Sequence, residues 1–284
     1  MMNLVVFGED MYTAAVIESL VKAGHIVSLL VTPDNSTANF KVLEEVTGKH
    51  KIEFLKTADI NSAAVAEKIS RINPWLIISA HLRKILKPEI FSLAVKGAIN
   101  VHPSLLPKYR GLSPQHQTLM HGDKESGVTV HFIEPEVDTG DIVAQQKFAV
   151  EKTDYILQVQ AKMLAIYKTI VVQAVASLES DSFTPLKQDL SQISYFGPLK
   201  KADRAIDLSR TAEEVYNLVR AVSLPYKGAF YKEYVLWTSE IVNDRELEVK
   251  YPSVGIYLEE AEDRVVVRLK DGVLISEDFE LNKN

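Results

Sequence analysis

The chain contains no cysteine, which excludes disulfides, thiolate nucleophiles and cysteine-ligated zinc together. Long apolar runs are missing too, and nothing approaches the roughly 20 unbroken apolar residues of a membrane helix. The first strand-like run, Leu4 to Phe7, is too short for a secretory signal core and lacks a basic flank. No membrane association is expected, and a cytoplasmic location is. Positive charge is scarce: 32 Lys and Arg stand against 38 Asp and Glu, a formal net charge of −6. The densest basic patch is Lys200, Lys201 and Arg204. Grip on a nucleic-acid backbone comes largely from phosphate contacts and counterion release, so nucleic acid is disfavoured as the main partner. A glycine-rich phosphate loop is also absent. The first βα turn reads Gly8-Glu9-Asp10-Met11-Tyr12-Thr13-Ala14, one glycine with two acids. Its backbone cannot approach a pyrophosphate closely and its acids would repel one, which argues against a dinucleotide oxidoreductase. No Walker-type lysine loop occurs either.

What is present is an ordinary globular composition, 46% apolar and 25% charged over 284 residues, enough for one large domain and a small one. Strand-like runs at Leu4–Phe7, Ile26–Val31, 52–55, Trp75–Ser79 and 98–101 alternate with helical patterns, the first carrying Ala15, Ile17, Leu20 and Val21 ahead of a Gly24 C-cap and the others at 36–47, 62–72 and 87–95. That alternation predicts an α/β, Rossmann-like, doubly wound and mainly parallel sheet with helices on both faces. After residue 111 the pattern changes. A helix at 113–121 precedes two strands, 127–133 and 141–150, close enough to pair antiparallel. A long amphipathic helix follows from Thr153 to Leu178, with Leu157, Ala161, Leu164, Val171 and Val175 as its expected buried stripe. The expected division is a catalytic domain over 1–180, a Ser-, Asp-, Pro- and Gln-rich linker over 181–198, and a small, mostly β domain over 199–284. The last would hold a helix at 211–223 and strands at 232–242, 253–259 and 264–276.

The segment with the most chemistry is Gly97-Ala98-Ile99-Asn100-Val101-His102-Pro103-Ser104-Leu105-Leu106-Pro107-Lys108-Tyr109-Arg110-Gly111. Asn100 and His102 are two apart on a strand, so both side chains leave the same face. Pro103 ends the strand, because proline cannot donate to a central ladder. Two polar groups therefore project from a strand's carboxyl end, where open α/β sheets keep their sites. Downstream lie the strand Gly127-Val128-Thr129-Val130-His131-Phe132-Ile133 and the loop Glu134-Pro135-Glu136-Val137-Asp138-Thr139-Gly140-Asp141.

Asn-x-His-Pro-Ser-Leu-Leu-Pro-x-x-Arg-Gly, then Gly-Val-Thr-x-His, then Asp-x-Gly-x-Ile, closely resembles the folate-dependent formyltransferases over roughly residues 3–178. The resemblance implies a catalytic set of Asn100, His102 and Asp138, 10-formyltetrahydrofolate as co-substrate, and no metal. It further implies that Lys84, Ile85 and Leu86, with Glu134, Pro135, Glu136, Val137 and Asp138, hold the pterin through backbone groups. Formyl transfer is acyl transfer: an amine attacks the formyl carbon and negative charge grows on the oxygen. Asn100 and His102 suit that charge as donors. An imidazole oriented by Asp138 can take the amine's proton and protonate the folate nitrogen. One departure stands out, since Leu112 occupies the place where aminosugar enzymes of this family carry an arginine.

The remaining histidines have plainer readings. His131 is read as structural, and His81, His116 and His121 as ordinary polar residues, with His116 opening toward the presumed cleft. Arg110-Gly111 is read either as a turn or as part of the site. For the acceptor, the second domain resembles two branches through Asp207-Leu208, Asn217 to Ala221, Pro225 to Phe230 and Val235-Leu236-Trp237: the methionyl-tRNA formyltransferases and the aminosugar enzymes. That likeness implies a reduced open β-barrel, a candidate surface for a homodimer. The loop Pro33-Asp34-Asn35-Ser36-Thr37-Ala38-Asn39 has no positive charge where tRNA enzymes carry a basic insertion, and Val130-His131 matches the sugar branch. The expected acceptor is therefore the amine of a nucleotide-linked deoxy-aminosugar used in surface polysaccharide synthesis. Methionyl-tRNA formyltransferase and formyltetrahydrofolate hydrolase are the alternatives.

Overall fold

A computed structural model describes residues 1–34, 39–180 and 182–281. The chain begins β1 (Asn3–Gly8), α1 (Met11–Lys22), β2 (Ile26–Pro33), α2 (Phe40–His50), β3 (Glu53–Thr57), α3 (Ala63–Ile72), β4 (Leu76–Ala80), α4 (Pro88–Phe91) and β5 (Ala98–His102). It continues β6 (Arg110–Gly111), α5 (Pro114–Met120), β7 (Glu125–Phe132), β8 (Ile142–Ala149) and α6 (Ile156–Glu179). The large sheet runs β3-β2-β1-β4-β5-β7-β8. The first five strands in that order pair in parallel, and β7 lies antiparallel to β5.

β1 is apolar and fully buried from Leu4 to Phe7, as a strand covered on both faces must be. The chain winds outward from β1 through β2 to β3, then returns to β4 on the other side of β1. That reversal opens a crevice at the strands' carboxyl ends. Gly8 is needed there, since a Cβ would lie 2.5 Å from the Ala80 carbonyl. Thr13 Oγ1 donates to that same carbonyl at 2.8 Å and ties the first turn to the end of β4. The expected helix at 36–47 begins partly outside the described residues, and so does most of the loop at 33–39. The expected helix at 87–95 shortens to α4, because Val95 and Lys96 donate backward to the Pro74 and Trp75 carbonyls and draw the chain into β5. By length and composition α6 would cross a membrane. Its Met163, Tyr167, Ile170, Val171, Ala174 and Val175 are instead buried, whereas Leu157 and Ala161 of the expected stripe are exposed, and core helices share that apolar composition.

The chain forms two compact units. The first comprises Met1–Leu112, Gly127–Phe148 and Lys162–Tyr195; the second takes Ser113–Ser126, Ala149–Ala161 and the chain from Phe196 onward. The expected division at 180 and 198 is contiguous, whereas these units are not. Helix α5 belongs to the second unit, where it packs against a later helix through Gly122. A Cβ on that glycine would lie 2.7 Å from Asn217 Nδ2. Residues 181–198, expected as a linker, carry β9 (Tyr195–Phe196). Before it, Leu186 exchanges two 2.8 Å backbone hydrogen bonds with Ile142, and Gln188 is buried.

The second unit continues with α7 (Ala212–Val222), β10 (Ala229–Tyr231), β11 (Tyr234–Leu236), β12 (Glu240–Val242), α8 (Arg245–Lys250), β13 (Gly255–Glu259), β14 (Arg264–Leu269), β15 (Gly272–Ser276) and β16 (Phe279–Leu281). Two antiparallel sheets result, β10-β11-β16 and β12-β15-β14-β13. The strand expected at 264–276 is a hairpin, broken at Lys270-Asp271 ahead of Gly272, a tight-turn sequence. Helix α7 starts on a capping box between Thr211 and Glu214.

His116 is buried in this unit, its ring 4.4 Å from that of Tyr226 at an edge-to-face angle. Neither of its ring nitrogens has a hydrogen-bond partner among the described residues. Burial lowers its pKa to about 4, so the native state binds fewer protons than the unfolded state between about pH 6.5 and pH 4. Stability therefore falls as pH drops through that window, by at most roughly 3 kcal/mol from this group. His116→Phe is expected to flatten the loss, measured as urea unfolding midpoints at pH 7, 5.5 and 4.5.

Candidate functional site

Asn100 and His102 lie on β5, and the sheet register supplies their neighbours. Asn100 pairs laterally with Ser79 on β4 and with His131 on β7. Directly opposed residues project on the same face, so His131 stands beside Asn100 with Nε2 3.2 Å from the Asn100 amide nitrogen. Asp138 comes from the loop after β7 and completes the group. Its Oδ1 accepts from Asn100 Nδ2 at 3.4 Å and lies 3.3 Å from His131 Nε2. Its Oδ2 accepts from the Gly111 N–H at 2.8 Å and lies 3.5 Å from His102 Nδ1.

The proton positions follow from which atoms can only accept. His102 Nε2 lies 2.9 Å from the Tyr109 carbonyl and His131 Nδ1 lies 2.7 Å from the Phe132 carbonyl. Each of those nitrogens must therefore carry the proton it donates. The nitrogens left over, Nδ1 of His102 and Nε2 of His131, both face the same carboxylate. Burial pushes the pKa of His102 down, against a partial upward pull from Asp138. Burial alone would raise Asp138, but the two imidazoles and the Gly111 N–H hold it below the ordinary carboxylate range. The resting arrangement is thus a neutral His102 whose Nδ1 lone pair points at an ionised Asp138. A proton arriving at Nδ1 meets a negative charge already in place.

These groups form one wall of a cavity of about 220 Å³. Its lining includes Lys84, Ile85 and Leu86, Glu134 to Val137, and Ser79, Leu82, Arg83, Gly111, Leu112, Ile133 and Tyr195. The structure therefore brings all the sequence-predicted residues to one place. The loop after β4 is pinned twice. Glu9, a buried acid of the first turn, accepts from the Arg83 N–H at 2.7 Å. Asn61 donates to the Ile85 carbonyl at 3.0 Å and accepts from the Lys87 N–H at 2.9 Å. The other acid of that turn, Asp10, caps α1 and pairs with His81 at 2.6 Å.

His131 and Tyr195, read otherwise from sequence, line this cavity, and Arg110, read either as part of a turn or as part of the site, lies behind it. His131 is a second imidazole on Asp138, and the period-2 spacing of Thr129 and His131 on one strand face was the available signal. Tyr195 comes from the expected linker and had no signal. Arg110 proves to be buried, donating to Gln188 from Nε at 3.2 Å and from Nη2 at 2.7 Å.

Residues 2–175 match the family model described as formyl transferase, and residues 198–284 match formyl transferase, C-terminal domain. The chain belongs to the formyltransferase family, and formyl transfer is its chemistry. It is 33% identical over 253 residues to the methionyl-tRNA formyltransferase of Natranaerobius thermophilus, covering 85% of this chain and 80% of that one. Among solved structures it is similar to WlaRD, a sugar 3N-formyl transferase crystallised with dTDP and 5-N-formyl-THF. The TM-score there is 0.71 at 20% identity, over 100% of this chain and 99% of that one. It is also similar to the N-formyltransferase of Helicobacter canadensis in complex with folinic acid and dTDP-3-aminofucose. That match has a TM-score of 0.72 at 18% identity, over 97% and 99% of the two chains.

Gly140 shows how tightly the Asp138 loop is packed, because a Cβ there would lie 1.9 Å from the Phe132 carbonyl oxygen. Gly140→Ala is expected to cost about 1–3 kcal/mol, as overpacking does. Urea unfolding of the variant beside the parent chain measures it.

Proposed function

We propose that this formyltransferase moves the formyl group of 10-formyltetrahydrofolate onto the amine of a nucleotide-linked deoxy-aminosugar, with Asn100, His102 and Asp138 as the reacting groups. The observation that carries the chemistry is the convergence of those three side chains on one cavity whose other walls are the 82–86 and 133–138 loops. The cavity suits a flat heterocycle. Leu82, Ile85, Ile133 and Val137 offer apolar faces, and the two loops offer backbone donors and acceptors at the edges. Bound there, the folate would supply an activated formyl group; the protein's own residues do the rest. The Asn100 amide nitrogen, which at rest lies within reach of Asp138 Oδ1 and His131 Nε2, would donate to the charge developing on the formyl oxygen, where one such donor is worth ~100–1000-fold in rate. His102 accepts the attacking amine's proton at Nδ1, and Asp138 stabilises the imidazolium and fixes the ring. Proton return to the leaving nitrogen uses the same imidazole.

For the acceptor, three observations support the sugar reading. The loop at 33–39 lacks any positive charge, and the net charge of −6 suits a small substrate better than an acceptor stem. In addition, the fold matches enzymes whose bound ligands include a dTDP-aminosugar almost end to end. Such an acceptor fits a role in lipopolysaccharide or other surface-polysaccharide synthesis. The second reading, a methionyl-tRNA formyltransferase, is favoured by the 33% identical relative. A screen with 10-formyltetrahydrofolate against nucleotide aminosugars, with charged initiator tRNA alongside, separates the two. Turnover on a sugar and none on tRNA is expected; the reverse result, with a steep salt dependence, would overturn the sugar reading.

Two variants test the site. His102→Ala and Asp138→Ala are each expected to abolish measurable transfer with circular dichroism little changed, and near-parental turnover in either would refute the assignment. Because burial lowers His102 below its ordinary 6.5, the acid limb of the kcat/KM profile should fall below pH 6.5. Asp138→Asn removes the upward pull, so its residual activity should show that limb at still lower pH.

A further inference from the structure

Gln188 is buried in the first unit, on the stretch between α6 and β9. Its amide nitrogen donates to the Asp138 carbonyl at 2.9 Å and to the Gly140 carbonyl at 2.7 Å. Its amide oxygen accepts both donations from the buried Arg110. The next residue, Gly111, donates its N–H to the Asp138 carboxylate at 2.8 Å. Both ends of Asp138 are therefore tied to the dipeptide 110–111, the carboxylate directly and the carbonyl through Gln188. Asp138 needs such ties. Its φ of 54° lies in the left-handed region that residues with a side chain rarely adopt.

We propose that Gln188 is a positioning residue that fixes the Asp138 carboxylate between His102 and His131. The proposal rests on the assignment of Asn100, His102 and Asp138 as the reacting groups. Glutamine is the side chain that combines two donors, an acceptor and this reach without charge. Glutamate at the same position keeps the partner for Arg110 but cannot donate to either carbonyl. Leucine keeps the bulk and loses every bond. Arg110 and Gly140 are buried and Asp138 is half-buried, so solvent replaces little of what is lost. Small displacements of a reacting group away from productive geometry cost on the order of 100-fold in rate.

The test uses the full chain carrying Gln188→Glu or Gln188→Leu beside the parent. It reads thermal midpoint, kcat, KM for 10-formyltetrahydrofolate, and the ring-nitrogen NMR titration of His102. Both variants are expected to lose about 100-fold in kcat with KM altered only a few-fold, Gln188→Glu as severely as Gln188→Leu. The His102 titration should move to lower pH in both, because a displaced carboxylate no longer supports a proton on Nδ1. Parental kcat and an unmoved His102 titration in Gln188→Glu overturn the proposal, even where its thermal midpoint drops. A parent chain that transfers no formyl group overturns the functional reading instead. The His102 titration requires no turnover and decides the role of Gln188 in either case.

Discussion

One buried carboxylate organises the site. Asp138 takes a backbone N–H from Gly111 and an amide N–H from Asn100, and it faces one nitrogen of each of two imidazoles. A lone carboxylate in this setting would neutralise itself by binding a proton; its partners keep it charged. The backbone carbonyls of Tyr109 and Phe132 hold the outer nitrogens of the two rings, so the inner nitrogens are left to meet the carboxylate. The chemical capacity of the site, accepting a proton beside a fixed negative charge, follows from that arrangement.

Besides its own loop, three segments meet this carboxylate: β5, the 110–111 dipeptide and β7. The strand order reverses at β1 and β4, which opens the carboxyl edge of the sheet, and the antiparallel insertion of β7 beside β5 sets His131 opposite Asn100. The acids of the first turn serve inside the protein. Asp10 caps α1, and Glu9 holds the loop that forms the far wall of the cavity. Gly8 and Gly140 appear where backbone approaches backbone too closely for a Cβ. These are separate local solutions to one requirement, that loops around a reacting group be held as firmly as strands.

Much of this was legible in the chain. Alternating apolar runs gave the parallel sheet, and the spacing of Asn100 and His102 gave a shared strand face. The resemblance to the formyltransferases picked Asp138 out of the acidic loop after Phe132. The misread elements were those governed by distant backbone. Helix α4 stops early because β5 must start against Pro74 and Trp75, and no residue within 88–95 encodes that. The segment at 181–198 has a linker's composition, yet Leu186 docks on Ile142, Gln188 reaches the site and Tyr195 lines its cavity. The partners of Val95 and Lys96 lie roughly 20 residues away, and those of Leu186 and Gln188 more than 40.

The amino-acid sequence by itself determined the chemistry on offer: an amide, an imidazole and a carboxylate, no thiol, and no glycine-rich phosphate loop. It also determined the strand and helix periodicities that place those groups at one edge of a sheet, because side-chain direction along a single element is a local property. Only the tertiary structure decided that His131 shares the carboxylate and that Gln188, itself held by Arg110, bonds the backbone carbonyl of Asp138. It also decided which nitrogen of each imidazole is committed to backbone. Register between strands and capture of one loop by another depend on where remote segments come to rest, and no local pattern carries that information.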